Sequence, residues 1–274
     1  MFRKSKKVAP PAETITGFKG FDMNLRCRDF QYEIGRTYAM QGVPARCTAA
    51  GFHAVEMPLD AWNYYEPGKS RYGAVTTDGP VDRGDGDTKF ASASITITAE
   101  LQLPDFIRSA VEWVKARASG NMATGDSGHA AATGYRGHAA ATGTSGHAAA
   151  TGDSGHAAAT GTSGHAAATG DRGHAAATGY SGHAAATGYS GHAAATGDSG
   201  HAAATGDRGI AASLGPDGTA QAGPDGWIVL AAWRWNGRDY DLLAVKSAKV
   251  GGPEGVRAGV SYRLSEAGTF EEAA

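Results

Sequence analysis

The chain has 274 residues, 41 of them glycine, and a formal net charge of −2. This balance excludes the strongly basic surface expected of a general nucleic-acid-binding protein. No apolar run approaches the roughly 18 residues of a membrane span. We therefore expect neither a nucleic-acid partner nor a membrane.

Residues 1–13 are basic and are predicted to form a flexible N-terminus. The cluster Arg3–Lys7 would suit the start of a secretory signal, but Val8-Ala-Pro-Pro supplies no apolar core after it. A cytoplasmic, reducing location is the favoured interpretation, with Cys27 and Cys47 as thiols. A disulfide between them stays an alternative because sequence spacing does not give geometry.

Residues 14–120 are predicted to form an α+β N-terminal domain. Ser92–Thr98 alternates as a strand would, and Asp78–Asp87 is rich in turn residues. A helix is predicted to begin near Leu103 and to close this domain, covering the first coil of whatever follows. Its apolar stripe, expected to pack in the core, consists of Phe106, Ile107, Ala110, Val111 and Val114.

The next segment repeats T-G-[D/Y/T]-[S/R]-G-H-A-A-A from Thr124 to about Ser213, in ten units, the last with Ile210 in place of histidine. A period this strict is typical of a solenoid in which each unit contacts its neighbours. The candidate binding residues are the histidines, expected to form a ladder: His129, His138, His147, His156, His165, His174, His183, His192 and His201.

Within each unit, H-A-A-A-T is the predicted strand. Its histidine, middle alanine and threonine share one face, and the other two alanines share the opposite face, which alone can be buried without unpaired polar groups. We predict a parallel β-solenoid over residues 121–213, a β-roll with two nonapeptides per coil and four to five coils. Odd and even units would line opposite faces.

Other architectures stay open at this stage. A collagen helix fails because one triplet in three has alanine where only glycine fits. A polyproline-II bundle, an antiparallel roll and a disordered repeat remain alternatives.

A metal role is weakly indicated. Calcium-binding nonapeptide rolls need an aspartate in every turn, whereas only half of these turns have one. Stacked imidazoles could capture a transition metal adventitiously, but no carboxylate or thiol is fixed beside them. Ice binding would favour flat rows of threonine, whereas the outward positions here alternate histidine, alanine and threonine. We predict no metal site and no cofactor.

Residues 214–274 are predicted to form a small antiparallel β cap, a meander. Two G-P-D-G turns precede Trp227–Trp235 and Tyr240–Val250, which flank the hairpin signal Asn236-Gly237. Further strands are predicted at Val256–Leu264 and Thr269–Glu272. The tryptophans Trp227, Trp233 and Trp235 are expected to pack against the last coil.

Several strings carry a resemblance to known proteins: Gly17–Asp22 (G-F-K-G-F-D), Cys27–Tyr38, G-F-H-A at Gly51–Ala54, and Pro58–Gly68. They resemble an uncharacterised phage and bacterial family with such a domain, a short-period glycine-rich repeat and a β cap that begins with a G-W-I-V-L-A-like strand. The chain departs from it at Val55, where a cysteine is expected. The family implies no activity and no cofactor.

A second similarity concerns G-F-H-A-V and the downstream tyrosine pair, which resemble the strand-and-helix element of ADP-ribosyltransferases. It implies a candidate N-terminal pocket at Lys19, His53 and Tyr64, without a catalytic glutamate in context. His53 could equally be a satisfied buried histidine.

The patterns favour a non-enzymatic structural or interaction protein with no catalytic residues. The family resemblance implies an association with phage and then a location in the host cytoplasm. The roll would serve as a rigid spacer or multivalent surface for a protein partner or for self-association. The alternative is a nucleotide-binding or ADP-ribosyltransferase-like domain displayed on that spacer.

Overall fold

The computed structural model describes residues 14–84, 88–118 and 122–273. They fall into two compact units. The first consists of Met1–Tyr64 and Arg71–Leu101, and the second of Tyr65–Ser70 and Gln102–Ala274, each within the described residues.

The first unit is a seven-stranded antiparallel sheet in the order β4-β9-β6-β1-β5-β8-β7, with a small β2-β3 ribbon and a 3-10 helix at Pro58–Asn63. Phe21, Val75, Phe90 and Ile97 are fully buried in its core. Its strands are β1 Ile15–Phe21, β2 Arg26–Cys27, β3 Phe30–Gln31, β4 Thr37–Ala39, β5 Phe52–Val55, β6 Arg71–Thr77, β7 Val81–Arg83, β8 Lys89–Ser92 and β9 Ser94–Leu101.

The predicted helix is present as α1, Leu103–Arg117, and the five residues of the predicted stripe are the ones it buries. It belongs to the second unit, however, and crosses the solenoid strands β12 (His138–Thr142), β14 (His156–Thr160) and β16 (His174–Thr178). The α+β description of residues 14–120 is therefore confirmed only in part. As expected, the helix covers the first coil, at β12, and it also extends over the next two strands of the even sheet because its apolar stripe packs against them.

The repeat folds as the predicted parallel β-solenoid with two nonapeptides per coil. His129 pairs with His147 in register and His138 with His156, so odd and even units line different sheets. The polyproline-II, antiparallel and disordered alternatives are thereby excluded. The repeat strands are β10 Met122–Ala123, β11 His129–Thr133, β12, β13 His147–Thr151, β14, β15 His165–Thr169, β16, β17 His183–Thr187, β18 His192–Ala195, β19 His201–Ala204, β20 Ile210–Ser213 and β21 Thr219–Ala222.

Two sheets of eight strands result. The even sheet has the order β10-β12-β14-β16-β18-β20-β22-β23, and the odd sheet has the order β11-β13-β15-β17-β19-β21-β24-β25. The last four strands are β22 Trp227–Trp235, β23 Tyr240–Lys249, β24 Ser261–Leu264 and β25 Phe270–Glu272.

The solenoid has about six turns, more than the four to five expected, because it continues past Ser213. Thr219 pairs with His201, and Trp227 pairs with Ile210, both in parallel. The two G-P-D-G sequences are turns in which Asp217 and Asp225 adopt a positive φ of 54°. Proline followed by a positive-φ residue is the pattern of a type II turn, which replaces the glycine turn of earlier coils.

The chain ends in two antiparallel hairpins rather than one meander, so the cap is confirmed only in part. β22 and β23 extend the even sheet, while β24 and β25 extend the odd sheet. The loop of the hairpin at Asn236-Gly237 extends to Asp239, because the backbone N–H of Asn236 donates to the carbonyl of Asp239. Trp233 donates its indole N–H to the carbonyl of Leu214, but Trp235 is 55% exposed.

The space between the two sheets is filled by alanine. The first and third alanines of every repeat unit point inward and are at most 7% exposed, while their neighbours in the strand point outward. Because a methyl group is the whole side chain, the two sheets approach closely, and packing is continuous along the roll. Ile228, Leu230 and Val256 widen this core at its C-terminal end.

The turns of successive coils also lie close to one another, as the glycine at the start of each turn shows. Gly152 has φ +137°, and a Cβ built on it would overlap the carbonyl oxygen of Gly134 in the preceding coil. Gly134 opens the same turn one coil earlier with φ +128°, yet an added Cβ would meet no atom within 4 Å. Glycine is thus required at Gly152 by coil stacking as well as by backbone conformation.

These two glycines separate the two effects. Gly134→Ala and Gly152→Ala both place alanine at positive φ, but only Gly152→Ala adds overlap with a neighbouring coil. We expect Gly152→Ala to lower the free energy of unfolding by about 1–3 kcal/mol more than Gly134→Ala, the usual cost of overpacking. Denaturant titration followed by circular dichroism would measure the difference. Equal losses would contradict the steric role of the preceding coil.

The eighteen-residue coil predicts how the roll tolerates deletions. Removing residues 142–159 deletes two units and leaves every later strand in its own sheet, so a melting temperature close to that of the parent chain is expected. Removing only residues 142–150 would exchange the sheets of all later strands and should lower the melting temperature markedly. Thermal melts of both variants by circular dichroism test this, and similar melting temperatures would argue against two units per coil.

Candidate interaction surface

The outer faces of the two solenoid sheets differ although their sequences are nearly identical. On the even sheet the outward-facing middle alanines Ala140, Ala158 and Ala176 are at most 1% exposed, whereas on the odd sheet Ala149 and Ala167 are exposed. The even face is therefore covered and the odd face is open over the same coils.

Helix α1 supplies the cover. It lies across β12, β14 and β16, and its Trp113 ring lies 5.2 Å from the ring of His138 and 5.3 Å from that of His156. The imidazoles of this column are buried: His156, His174 and His192 are at most 3% exposed, and the first two belong to strands that α1 crosses. These histidines take part in core packing rather than in a surface.

The odd sheet carries the other five histidines in a stacked column. Successive ring centroids are 4.7–4.8 Å apart, and the interplanar angle is as small as 4° between His147 and His165. Because the rings stack along the roll, their edges face solvent and can donate or accept hydrogen bonds. The members of this odd ladder are His129, His147, His165, His183 and His201.

Two further rows run beside the odd ladder. The middle alanines of the odd units form one row, and the threonines form the other, with Thr133, Thr151 and Thr169 all exposed. The face therefore repeats one imidazole, one methyl group and one hydroxyl per coil. Such a face offers hydrogen bonds and apolar contacts at a fixed interval, the distance between neighbouring strands of the sheet.

The odd ladder disfavours protonation. The pKa of His165 is lowered by partial burial first and then by the neighbouring imidazoles of His183 and His147. The pKa of His183 is lowered in the same way, with His201 as its charged neighbour. A charge on a neighbouring ring therefore opposes protonation of His165 and of His183.

No group of three or more metal-ligating side chains is found among the described residues. The stacked rings explain this, because their nitrogens run parallel instead of converging on one point. Both cysteines are free thiols, Cys47 exposed and Cys27 half-buried. Within the same residues no helix is long and apolar enough to cross a membrane.

The N-terminal candidate residues lie in the first unit but are only partly brought together. Lys19 is 3% exposed, and its Nζ donates to the backbone carbonyl of His53 at 2.8 Å. Burial lowers the pKa of Lys19, and burial together with the charges of Lys19 and Lys89 lowers the pKa of His53. The Tyr64 hydroxyl accepts from Lys89 Nζ at 2.9 Å. With Lys19 enclosed, this arrangement lends no support to contact with a nucleotide.

Comparison with known proteins agrees with a modular chain. Residues 15–109 match a domain of unknown function, DUF7666. No curated protein and no solved structure matches the chain significantly. The matched domain includes the first half of α1, so it crosses the division between the two compact units.

The odd ladder predicts sensitivity to acid. An unfolded histidine titrates near pH 6.5, whereas the folded pKa values of His165 and His183 are lower, so the unfolded chain binds more protons as the pH falls. The melting temperature should therefore decrease below about pH 6.5. Replacing the five odd-ladder histidines with glutamine should flatten this decrease, which thermal melts from pH 7 to pH 5 at low salt would measure.

Two comparisons make the acid experiment specific. Serine in place of the exposed odd-sheet threonines changes the same face without removing a titratable group and should leave the pH dependence intact. Added salt should weaken the effect because the interaction is between partly exposed charges. A melting temperature that stays constant from pH 7 to pH 5 in the parent chain would show that the imidazoles do not repel.

Proposed function

We propose that this protein is a non-enzymatic interaction protein whose odd face is a multivalent binding surface carried on a rigid roll. The observation that carries the proposal is the asymmetry of the two sheets. Over β12, β14 and β16 the outer face of the even sheet is covered by the chain's own helix, while the outer face of the odd sheet remains open across five histidine-bearing coils.

The architecture supports such a role. Backbone ladders run unbroken through both sheets and continue into the terminal hairpins, so the distance between successive binding elements is fixed. A fixed array lets a partner with several contact points engage many weak sites at once, which raises its apparent affinity. Near-identical units also tolerate gain and loss of coils, since each coil meets only its neighbours.

The partner class proposed is another protein or a second copy of this chain. Imidazole, methyl and hydroxyl groups together make a mixed apolar and polar surface, which resembles an ordinary protein interface more than a charged one. An association with phage, and with it a location in the host cytoplasm, rests on the family resemblance of the N-terminal motifs alone.

The test places bulk and charge on the open face. Ala149→Arg, Ala167→Arg and Ala185→Arg together would raise three long side chains from the exposed alanine row without touching the inner alanines. Wild type and variant are used as bait in lysate of the source cells, with quantitative mass spectrometry of the bound proteins. Self-association is measured in parallel by analytical ultracentrifugation of the purified chains.

The matched control carries the same charge change at exposed, uncharged turn positions, Thr144→Arg, Thr162→Arg and Tyr180→Arg. We expect binding or self-association that is lost in the face variant and kept in the turn variant. Circular dichroism spectra of both should equal that of wild type. Identical behaviour of the two folded variants would contradict a role for the odd face.

A further inference from the structure

The two solenoid sheets end in very different edge strands at their C-terminal side. The odd sheet ends in β25, which has three residues and two glutamates, Glu271 and Glu272, each paired with an arginine. The even sheet ends in β23, which has ten residues and no proline. A short, charged edge discourages pairing with another chain, whereas a long apolar edge favours it. Of these two edges, β23 is therefore the one suited to an intermolecular contact.

The middle of β23 is apolar and exposed. Its side chains Leu242, Leu243 and Val245 are between 37% and 51% exposed. Within the described part of the chain, residues 241–246 form no backbone hydrogen bond to any segment other than β22. The outer edge of this stretch thus combines available backbone donors and acceptors with apolar side chains.

A β-bulge places two of these apolar side chains on one face. Ala231 pairs with Val245 and Trp233 pairs with Leu242, so β23 has one residue more than β22 over this stretch. Opposite residues of an antiparallel ladder share a face, and so do residues two apart in a regular strand. Leu242 and Val245 therefore lie on the same face although they are three apart in sequence.

Opposite charges flank the apolar stretch. Asp241 accepts from the side-chain amide of Asn236 at 3.0 Å, and Lys246 Nζ donates to the carbonyl of Gly268 at 2.6 Å. Neither charge has an ion-pair partner among the described residues. A carboxylate has two oxygens and an ammonium group has three protons, so each can also bind a partner of opposite charge.

We propose that β23 is a dimerisation edge, at which a second copy of this chain adds its own β23 in antiparallel orientation. Asp241 then lies opposite Lys246 of the second copy, and Leu242 lies opposite Val245. Two-fold symmetry repeats each pair, which gives two ion pairs and two apolar pairs across the contact. In this register each face meets the same face of the other copy, as an antiparallel ladder requires, and the two even sheets become one continuous sheet.

A register with Asp241 opposite Lys249 is less favourable. Lys249 already pairs with Asp225 at 3.3 Å. A Cβ built on Gly68 would lie 2.9 Å from the hydroxyl of Ser247, so another segment already packs against this end of the strand. The accessible stretch of β23 therefore ends before Ser247, and the lysine inside that stretch decides the register.

Sedimentation velocity of the full chain over a range of concentrations tests for the dimer. Because a short strand pair makes a small interface, we expect reversible association with a dissociation constant in the micromolar range. Hydrogen exchange at low and high protein concentration should show that the amides of residues 241–246 become protected as the dimer forms. Association that leaves this protection unchanged would contradict strand pairing.

Charge reversal tests the register. Asp241→Lys and Lys246→Asp each turn both ion pairs into repulsions, so each should weaken the homodimer about tenfold or more. An equimolar mixture of the two variants should form a heterodimer, because every charge at the contact then faces an opposite one. With one variant labelled with nitrogen-15, native mass spectrometry distinguishes the heterodimer from both homodimers.

Two controls isolate the contact. Glu254→Lys makes the same change from an acidic residue to lysine at an exposed position outside β23, and it should leave the dimer intact. The odd-face variant, with Ala149→Arg, Ala167→Arg and Ala185→Arg, should also dimerise, so this inference and the proposed function can fail independently. Circular dichroism spectra equal to that of wild type would show that each variant is folded.

Three results would overturn the proposal. One is a monomer at every concentration. Another is a dimer that the two β23 charge reversals and Glu254→Lys weaken equally. The third is a dimer that is lost in the odd-face variant and kept in both β23 variants, which would assign self-association to the odd face.

Discussion

The structure depends on the close approach of two sheets over alanine. With a single methyl group at each inward position, the interior is too thin to hold large side chains. The backbone hydrogen bonds between strands and the tight glycine turns must therefore maintain the regular stacking of the coils. The same constraint fixes the turn composition, since a side chain at Gly152 has no room beside the preceding coil. Larger apolar residues enter only where the roll ends, at Ile228 and Leu230.

One helix then makes two nearly identical faces different. The H-A-A-A-T units contain no information that distinguishes odd from even positions, yet α1 packs over the even histidines of β12, β14 and β16, whereas the odd ones stay in contact with solvent. What covers a repeat unit, and not its sequence, therefore decides whether its outer face is open to solvent.

Sequence reasoning predicted the elements and the register of the roll, because a strict period and strand alternation leave few arrangements. It also predicted which residues α1 buries. It placed α1 over the first coil but did not predict that the helix extends along the even sheet to β16, since an apolar stripe identifies a buried face but not its partner. Nor could it distinguish the buried histidine column from the exposed one, because that difference arises from tertiary contacts.

The underestimated length of the roll had a visible cause in the sequence. After Ser213 the outward positions change to residues such as Thr219 and Trp227, while the inward alanines persist at Ala220 and Ala222. The second G-P-D-G turn follows the first after eight residues instead of nine, which interrupts the period. Following the inward alanines rather than the histidines would have extended the prediction.

The near-exact repetition of the odd ladder has a thermodynamic consequence for any ligand. Neighbouring coils are translationally equivalent, so a ligand that needs one coil can occupy any of five registers. This degeneracy favours binding by a statistical factor of five, about 1 kcal/mol. A ligand that spans all five coils has a single register and gains avidity instead. Short ligands would thus be held without a fixed position and free to step along the roll, whereas a long periodic ligand would be locked in place.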